Sequence, residues 1–126
     1  MRALLLPIKD LREAKKRLAG VLSPEERFSL AQAMLSDTVR AVRGVRHAEK
    51  IFVVTSYPPA MRLAEENGWQ VIQEHEQISE SHSVDYASKC CEQQGVTALL
   101  RLPLDLPLIG AADIDELLAG DFRHHI

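Results

Sequence analysis

Apolar residues come in short blocks separated by stretches with helical spacing. Residues 3–8 are continuously apolar, as expected for a parallel strand covered on both faces. A charged loop follows over 9–21. Ser23-Pro24-Glu25-Glu26 then reads as a helix start, with Ser23 as cap, Pro24 in the first helical position and Glu26 completing a capping box. Phe28, Ala31, Leu35, Thr38, Val39 and Val42 recur at helical spacing, and Gly44 ends that helix. The β-branched and aromatic run 51–55 predicts a second strand. A short helix over 58–67 closes at Asn67-Gly68, and 69–72 is a third strand. A helix over 83–94 carries Val84, Ala87 and Cys91 on one side and closes at Gly95. Residues 96–102 form a fourth strand stopped by Pro103, and 111–118 a last helix with Asp113 near its positive N-terminus.

This alternation predicts one α/β domain, a parallel sheet with right-handed crossovers and helices on both faces. Ligands of such sheets bind beyond the carboxyl ends of the strands. That rule selects four loops, 9–22, 55–57, 73–83 and 103–110. No internal repeat or interdomain linker interrupts the pattern.

Composition changes this picture little. The 126 residues are 46% hydrophobic and 26% charged, enough for a real core and too short for a second domain of ordinary size. A net charge of −3 does not suggest a nucleic-acid partner. No apolar run approaches the roughly 20 residues needed to span a bilayer, so no membrane partner is expected. The apolar start ends at Pro7 and meets charge at once, unlike a signal peptide. Two adjacent cysteines, Cys90 and Cys91, make no disulfide framework, and a reducing cytoplasmic setting is expected.

The first loop places Lys9, Arg12, Lys15, Lys16 and Arg17 just after a buried strand. Cations there can hold a triphosphate, and the arginine fork matches phosphate oxygens. The loop lacks the Gly-rich Walker pattern, so side chains rather than amides would carry the compensation. Equally, Asp10 and Glu13 can pair with these cations on a solvated face. The fourth loop reads Leu102-Pro103-Leu104-Asp105-Leu106-Pro107-Leu108. Asp105, fixed between prolines at a strand's carboxyl end, suits either a Mg²⁺ ligand facing phosphates or an Asx-type turn. Ser79, Ser81 and Ser83 bring hydroxyls to a helix start, suited to ribose or phosphate, though plain N-capping explains at least one. The histidines show no ligand spacing with the cysteines, and no zinc site is assigned.

Pro7-x-Lys9, Ala14-Lys15-x-Arg17-Leu18, Leu22-Ser23-x-x-Glu26-Arg27 and Pro103-x-Asp105-x-Pro107-Leu108, in this order, resemble the 2-phospho-L-lactate (phosphoenolpyruvate) guanylyltransferase family. That family serves deazaflavin coenzyme biosynthesis, and the resemblance covers nearly the whole chain. It implies a Rossmann-like three-layer sheet of the nucleotide-diphospho-sugar transferase type, truncated here after about four strands. It also implies transfer of GMP from GTP to a phosphorylated three-carbon acid (2-phospholactate, phosphoenolpyruvate or 3-phosphoglycerate), with release of pyrophosphate. Lys9, Lys15 and Arg17 become the triphosphate contacts, Lys15 and Arg17 being also the catalytic cations, and Asp105 the Mg²⁺ ligand. Where many relatives carry Leu-Asn, Ser81 and Ser83 stand as nucleotide contacts. Relatives continue past the Asp105 loop, so a non-catalytic nucleotide-binding or dimerisation remnant is the alternative. An edge left by missing strands favours a homodimer.

Overall fold

The apolar run 3–8 lies mostly in β1 (Arg2–Pro7), one of two inner strands of the four-stranded parallel sheet formed by the described residues. The computed structural model describes residues 1–11, 20–73, 80–102 and 110–119, with backbone alone at 80–82. In chain order the further elements are α1 (Pro24–Arg43), β2 (Lys50–Thr55), α2 (Pro58–Glu66), β3 (Gln70–Gln73), α3 (Glu80–Gln93), β4 (Ala98–Arg101) and α4 (Ala111–Ala119). The sheet order is β3-β2-β1-β4.

Alternation along β1 divides the core. Leu4, Leu6 and Ile8 join Val53, Leu100 and Leu102 beneath residues of α1, α2 and α4. Ala3 and Leu5 join Phe52, Val54, Ile72 and Leu99 beneath Val84, Ala87 and Cys91 of α3. Such a strand must be apolar throughout, because both its faces are covered. The side taken by each helix follows from crossover handedness. From β1 the chain steps outward to β2 and β3, with α1 and α2 on one face. Its return past β1 to β4 runs the other way, so a crossover of the same hand puts α3 on the opposite face.

The predicted caps form. The Ser23 hydroxyl accepts the Glu26 amide at 3.1 Å, and the Glu26 carboxylate accepts the Ser23 amide at 2.8 Å. These bonds from the Ser23 backbone and side chain hold the Glu26 pKa below its ordinary value. Gly44 ends α1 for a reason other than left-handed backbone: its φ is −86°. A Cβ there would lie 2.8 Å from the Ala111 Cβ, so close approach of α1 to α4 selects glycine.

Three of the shifted boundaries, the starts of β3, β4 and α3, matter most. β3 and β4 start later than expected, because Trp69 and Val96 still serve the preceding helices. The Trp69 amide donates to the Ala64 carbonyl (2.8 Å) and that of Gly68 to Glu65 (3.1 Å), a Schellman closure with Gly68 at φ 72°. Val96 to Cys91 (3.2 Å) and Gly95 to Glu92 (3.1 Å) repeat it, with Gly95 at φ 90°. In the other direction, α3 begins at Glu80, so Ser83 lies inside its first turns and not at its cap. Cys91 is buried against the sheet, and burial, helped by neighbouring Cys90, pushes its thiol pKa up to about 11. A thiol so protonated packs as an apolar group.

The Asp115 carboxylate clamps α4 to the turn before β2. Its Oδ1 accepts the amides of Arg46 and His47, each at 2.8 Å. Partial desolvation raises its pKa, but those two amides and the adjacent His47 and Arg46 charges outweigh this, leaving it below the ordinary aspartate value. A folded pKa below the unfolded one adds stability above the unfolded pKa, lost as pH falls through the folded value. Asp115→Asn is therefore expected to melt below the wild type near pH 7, with the gap narrowing as the pH falls below the ordinary aspartate pKa. A gap independent of pH would assign the clamp to geometry alone.

Candidate nucleotide site at the switch point

In a sheet of order β3-β2-β1-β4 the chain reverses direction between β1 and β4, and the crevice at their carboxyl ends is where such folds receive ligands. Pro7 opens that crevice. Alternate residues of a parallel strand direct their peptide groups to opposite neighbours. The Leu5 carbonyl accepts the Leu102 amide at 2.9 Å, so Leu5 and, two residues on, Pro7 face β4. The Ile8 amide donates to the Val54 carbonyl at 3.1 Å and faces β2. Pro7 has no proton to give toward β4, where pairing among the described residues runs to Leu5↔Arg101 and Leu102, while β1–β2 pairing runs on to Pro7↔Val54. The same proline is tolerated in a central strand because it is the last residue of β1.

Lys9 leaves β1 at this opening and is exposed. Among the described residues no carboxylate is ion-paired with it. Asp10 beside it is half-buried, and Leu11 turns inward to pack on Ala31, Phe28 and Tyr57, returning the chain to α1. Segment 12–19, with Lys15 and Arg17, lies in sequence between Leu11 and α1 and is outside the described residues, as is 103–109 with Asp105. Leu102, the last described residue before that second segment, is hydrogen-bonded to β1. The sheet thus brings the roots of both segments to adjacent strands.

The two serines stand differently. Ser81 lies in the first turn of α3, on the carboxyl side of the sheet, with its side chain outside the described residues. Ser83 is described and is 4% exposed, its side chain turned into the α3 face of the core. Among the described residues no group of three or more His, Cys, Asp or Glu side chains is gathered to hold a metal.

One residue of the site escaped the sequence reading. Thr55, at the end of β2, is 1% exposed. Its hydroxyl donates to the Ile8 carbonyl at 2.6 Å and accepts the Tyr57 amide at 3.0 Å. The signal was there: Thr55 is the polar end of the otherwise apolar run Ile51-Phe52-Val53-Val54.

An open parallel sheet whose order reverses at β1, with helices on both faces, defines a Rossmann-like α/β unit. The chain belongs to the guanylyltransferase family described as "Guanylyl transferase CofC like", whose family model matches residues 1–126. It is 32% identical over 114 residues to a phosphoenolpyruvate guanylyltransferase of Conexibacter woesei, covering 90% of this chain and 51% of that protein. A 2-phospho-L-lactate guanylyltransferase of Methanothermobacter thermautotrophicus is 30% identical over the same length (90% and 50%). A phosphoenolpyruvate guanylyltransferase of Rubrobacter xylanophilus reaches 35% (90% and 55%). The chain thus spans about half the length of these curated relatives. A crystal structure from Desulfovibrio desulfuricans, whose name proposes a nucleotide-diphospho-sugar transferase, superposes with a TM-score of 0.74. It covers 94% of this chain and 53% of that one at 12% identity, a likeness of fold.

Proposed function

We propose that the chain binds GTP·Mg²⁺ at the β1/β4 crevice and forms the nucleotide-binding part of a guanylyltransferase acting on a phosphorylated three-carbon acid. The observation that carries this reading is the β1–β4 pairing. It sets the root of the basic segment (Lys9, then Lys15 and Arg17) beside the root of the Asp105 segment. Family membership and the names of the relatives supply the nucleotide and the acid, phosphoenolpyruvate or 2-phospho-L-lactate.

In this reading Lys9, Lys15 and Arg17 hold the β- and γ-phosphates. A phosphate oxygen of the acid attacks the α-phosphorus of GTP; a new P–O bond forms as the bond to the β-phosphate bridging oxygen breaks, and pyrophosphate leaves with that electron pair. The attacking oxygen is already anionic, so orientation and charge neutralisation outweigh any general base. Asp105 would hold Mg²⁺, which supplies positive charge to the phosphates. Ser81, at the start of α3, is better placed for the nucleotide than Ser83, whose side chain is buried.

Calorimetric titration with GTP tests the reading. Asp105→Asn keeps size and removes charge, so it should weaken GTP binding only when Mg²⁺ is present. A lower melting temperature with unchanged Mg²⁺-dependent binding would return Asp105 to a turn-forming role. The second reading is nucleotide binding or dimerisation without transfer. Pyrophosphate release from GTP with either acid separates the two: steady release supports transfer, and binding without release supports the second.

A further inference from the structure

We infer that Thr55 is a positioning residue that acts through Lys9, fixing the peptide from which the first phosphate-binding cation departs. The inference rests on the reading of Lys9 as a phosphate ligand.

The peptide group joining Ile8 to Lys9 is the last part of β1 under the sheet's control. The Ile8 amide is secured to the Val54 carbonyl at 3.1 Å. Its carbonyl would, by continuation of the β1–β2 register beyond Pro7↔Val54, accept the amide of Ser56. The chain is by then turning into α2, whose first residue is Pro58, and the Thr55 hydroxyl supplies the proton instead, at 2.6 Å. A hydroxyl can donate and accept at once. The same oxygen accepts the Tyr57 amide at 3.0 Å, so one buried atom joins the two loops leaving β1 and β2.

The consequence is directional. Fixing the Ile8 carbonyl fixes the plane of the Ile8–Lys9 peptide, because the amide is planar. The Lys9 Cα therefore starts from a set position at the edge of the crevice opened by Pro7. Thr55 is buried, and its hydroxyl holds the peptide. Its partners are both backbone groups, so removing the hydroxyl deprives the Ile8 carbonyl and the Tyr57 amide of their bond and frees the Ile8–Lys9 peptide to turn.

The test is a double-mutant cycle on GTP affinity with Mg²⁺ present, using Thr55→Val, Thr55→Ser and Lys9→Ala. Thr55→Val keeps the shape and should weaken binding about tenfold, the low end of what an outer hydrogen-bond partner contributes to a site. Thr55→Ser keeps the hydroxyl and should bind within about twofold of the wild type by the same reasoning. In the Lys9→Ala background, Thr55→Val should cause no further loss. If Thr55→Val does not fold, Thr55→Cys, whose thiol is a weak donor, takes its place. Additive losses, wild-type binding by Thr55→Val, or Thr55→Ser as weak as Thr55→Val would each overturn the inference while leaving the phosphate role of Lys9 standing. Wild-type binding by Lys9→Ala would instead remove Lys9 from the phosphate site, and the role of Thr55 with it.

Discussion

Arg17→Ala is expected to weaken GTP binding by roughly 1.5–3 kcal/mol, the contribution of a hydrogen bond to a charged group. That corresponds to a loss of about ten- to 150-fold in affinity. Arg17 belongs to the basic stretch between β1 and α1 that opens with Lys9, the stretch this reading assigns to the phosphates. A guanidinium presents a planar fork to phosphate oxygens, whereas an ammonium is a point charge. Arg17→Lys should accordingly recover part of the affinity, and what it still lacks relative to the wild type measures the fork. Raising the salt concentration should weaken wild-type binding more than that of Arg17→Ala, since a charge contact has been removed from the variant. Equal GTP affinity in wild type and Arg17→Ala would make residues 12–19 an ordinary solvated surface, the alternative their mixed charges also allow.

The elements were legible because each announces itself locally. An apolar run without alternation can only be a strand covered twice, and β1 is one. Ser23, Pro24 and Glu26 state a helix start in four residues, and the capping box forms. Strand order was not legible. β2 and β4 are both short, apolar and followed by helices, and nothing within either says which side of β1 it takes. That is decided by how α1, α2 and α3 divide between the two faces. The site inherits this gap. Lys9 and Asp105 stand out by residue type, but that their segments spring from neighbouring strands follows only from the β1–β4 ladder. Ser83 shows a different failure. A serine before an apolar helical face looks like a cap, yet Ser83, Ala87 and Cys91 fall four apart and all are buried. Periodicity alone would have moved the helix start upstream. Thr55 is marked in sequence as the polar end of an apolar run, but its partners are main-chain groups, so what it holds shows only in the structure.

Phe52→Ala is expected to cost about 3–5 kcal/mol of stability, the usual range for removing a buried aromatic side chain. Phe52 is fully buried in β2, beside Leu5 of β1 in the register, on the sheet face covered by α3. On the opposite face, residues of α1, α2 and α4 share the cover. On this one, among the described residues, α3 alone supplies the helical layer through Val84, Ala87 and Cys91, with Val96 following it. A void left by the ring therefore has few neighbours able to move into it, which places the loss toward the upper part of the range. Domains of this size are stable by only about 5–15 kcal/mol, so the variant would stand close to unfolding. Phe52→Leu refills most of the volume and should lose far less. Urea denaturation measures both, and an unchanged slope with a lower midpoint would locate the effect in the folded state. A loss under about 1 kcal/mol for Phe52→Ala, well below the range for buried aromatics, would mean that α3 is not packed on β1 and β2 as described. The start of α3, and with it Ser81, would then have no fixed place beside the nucleotide.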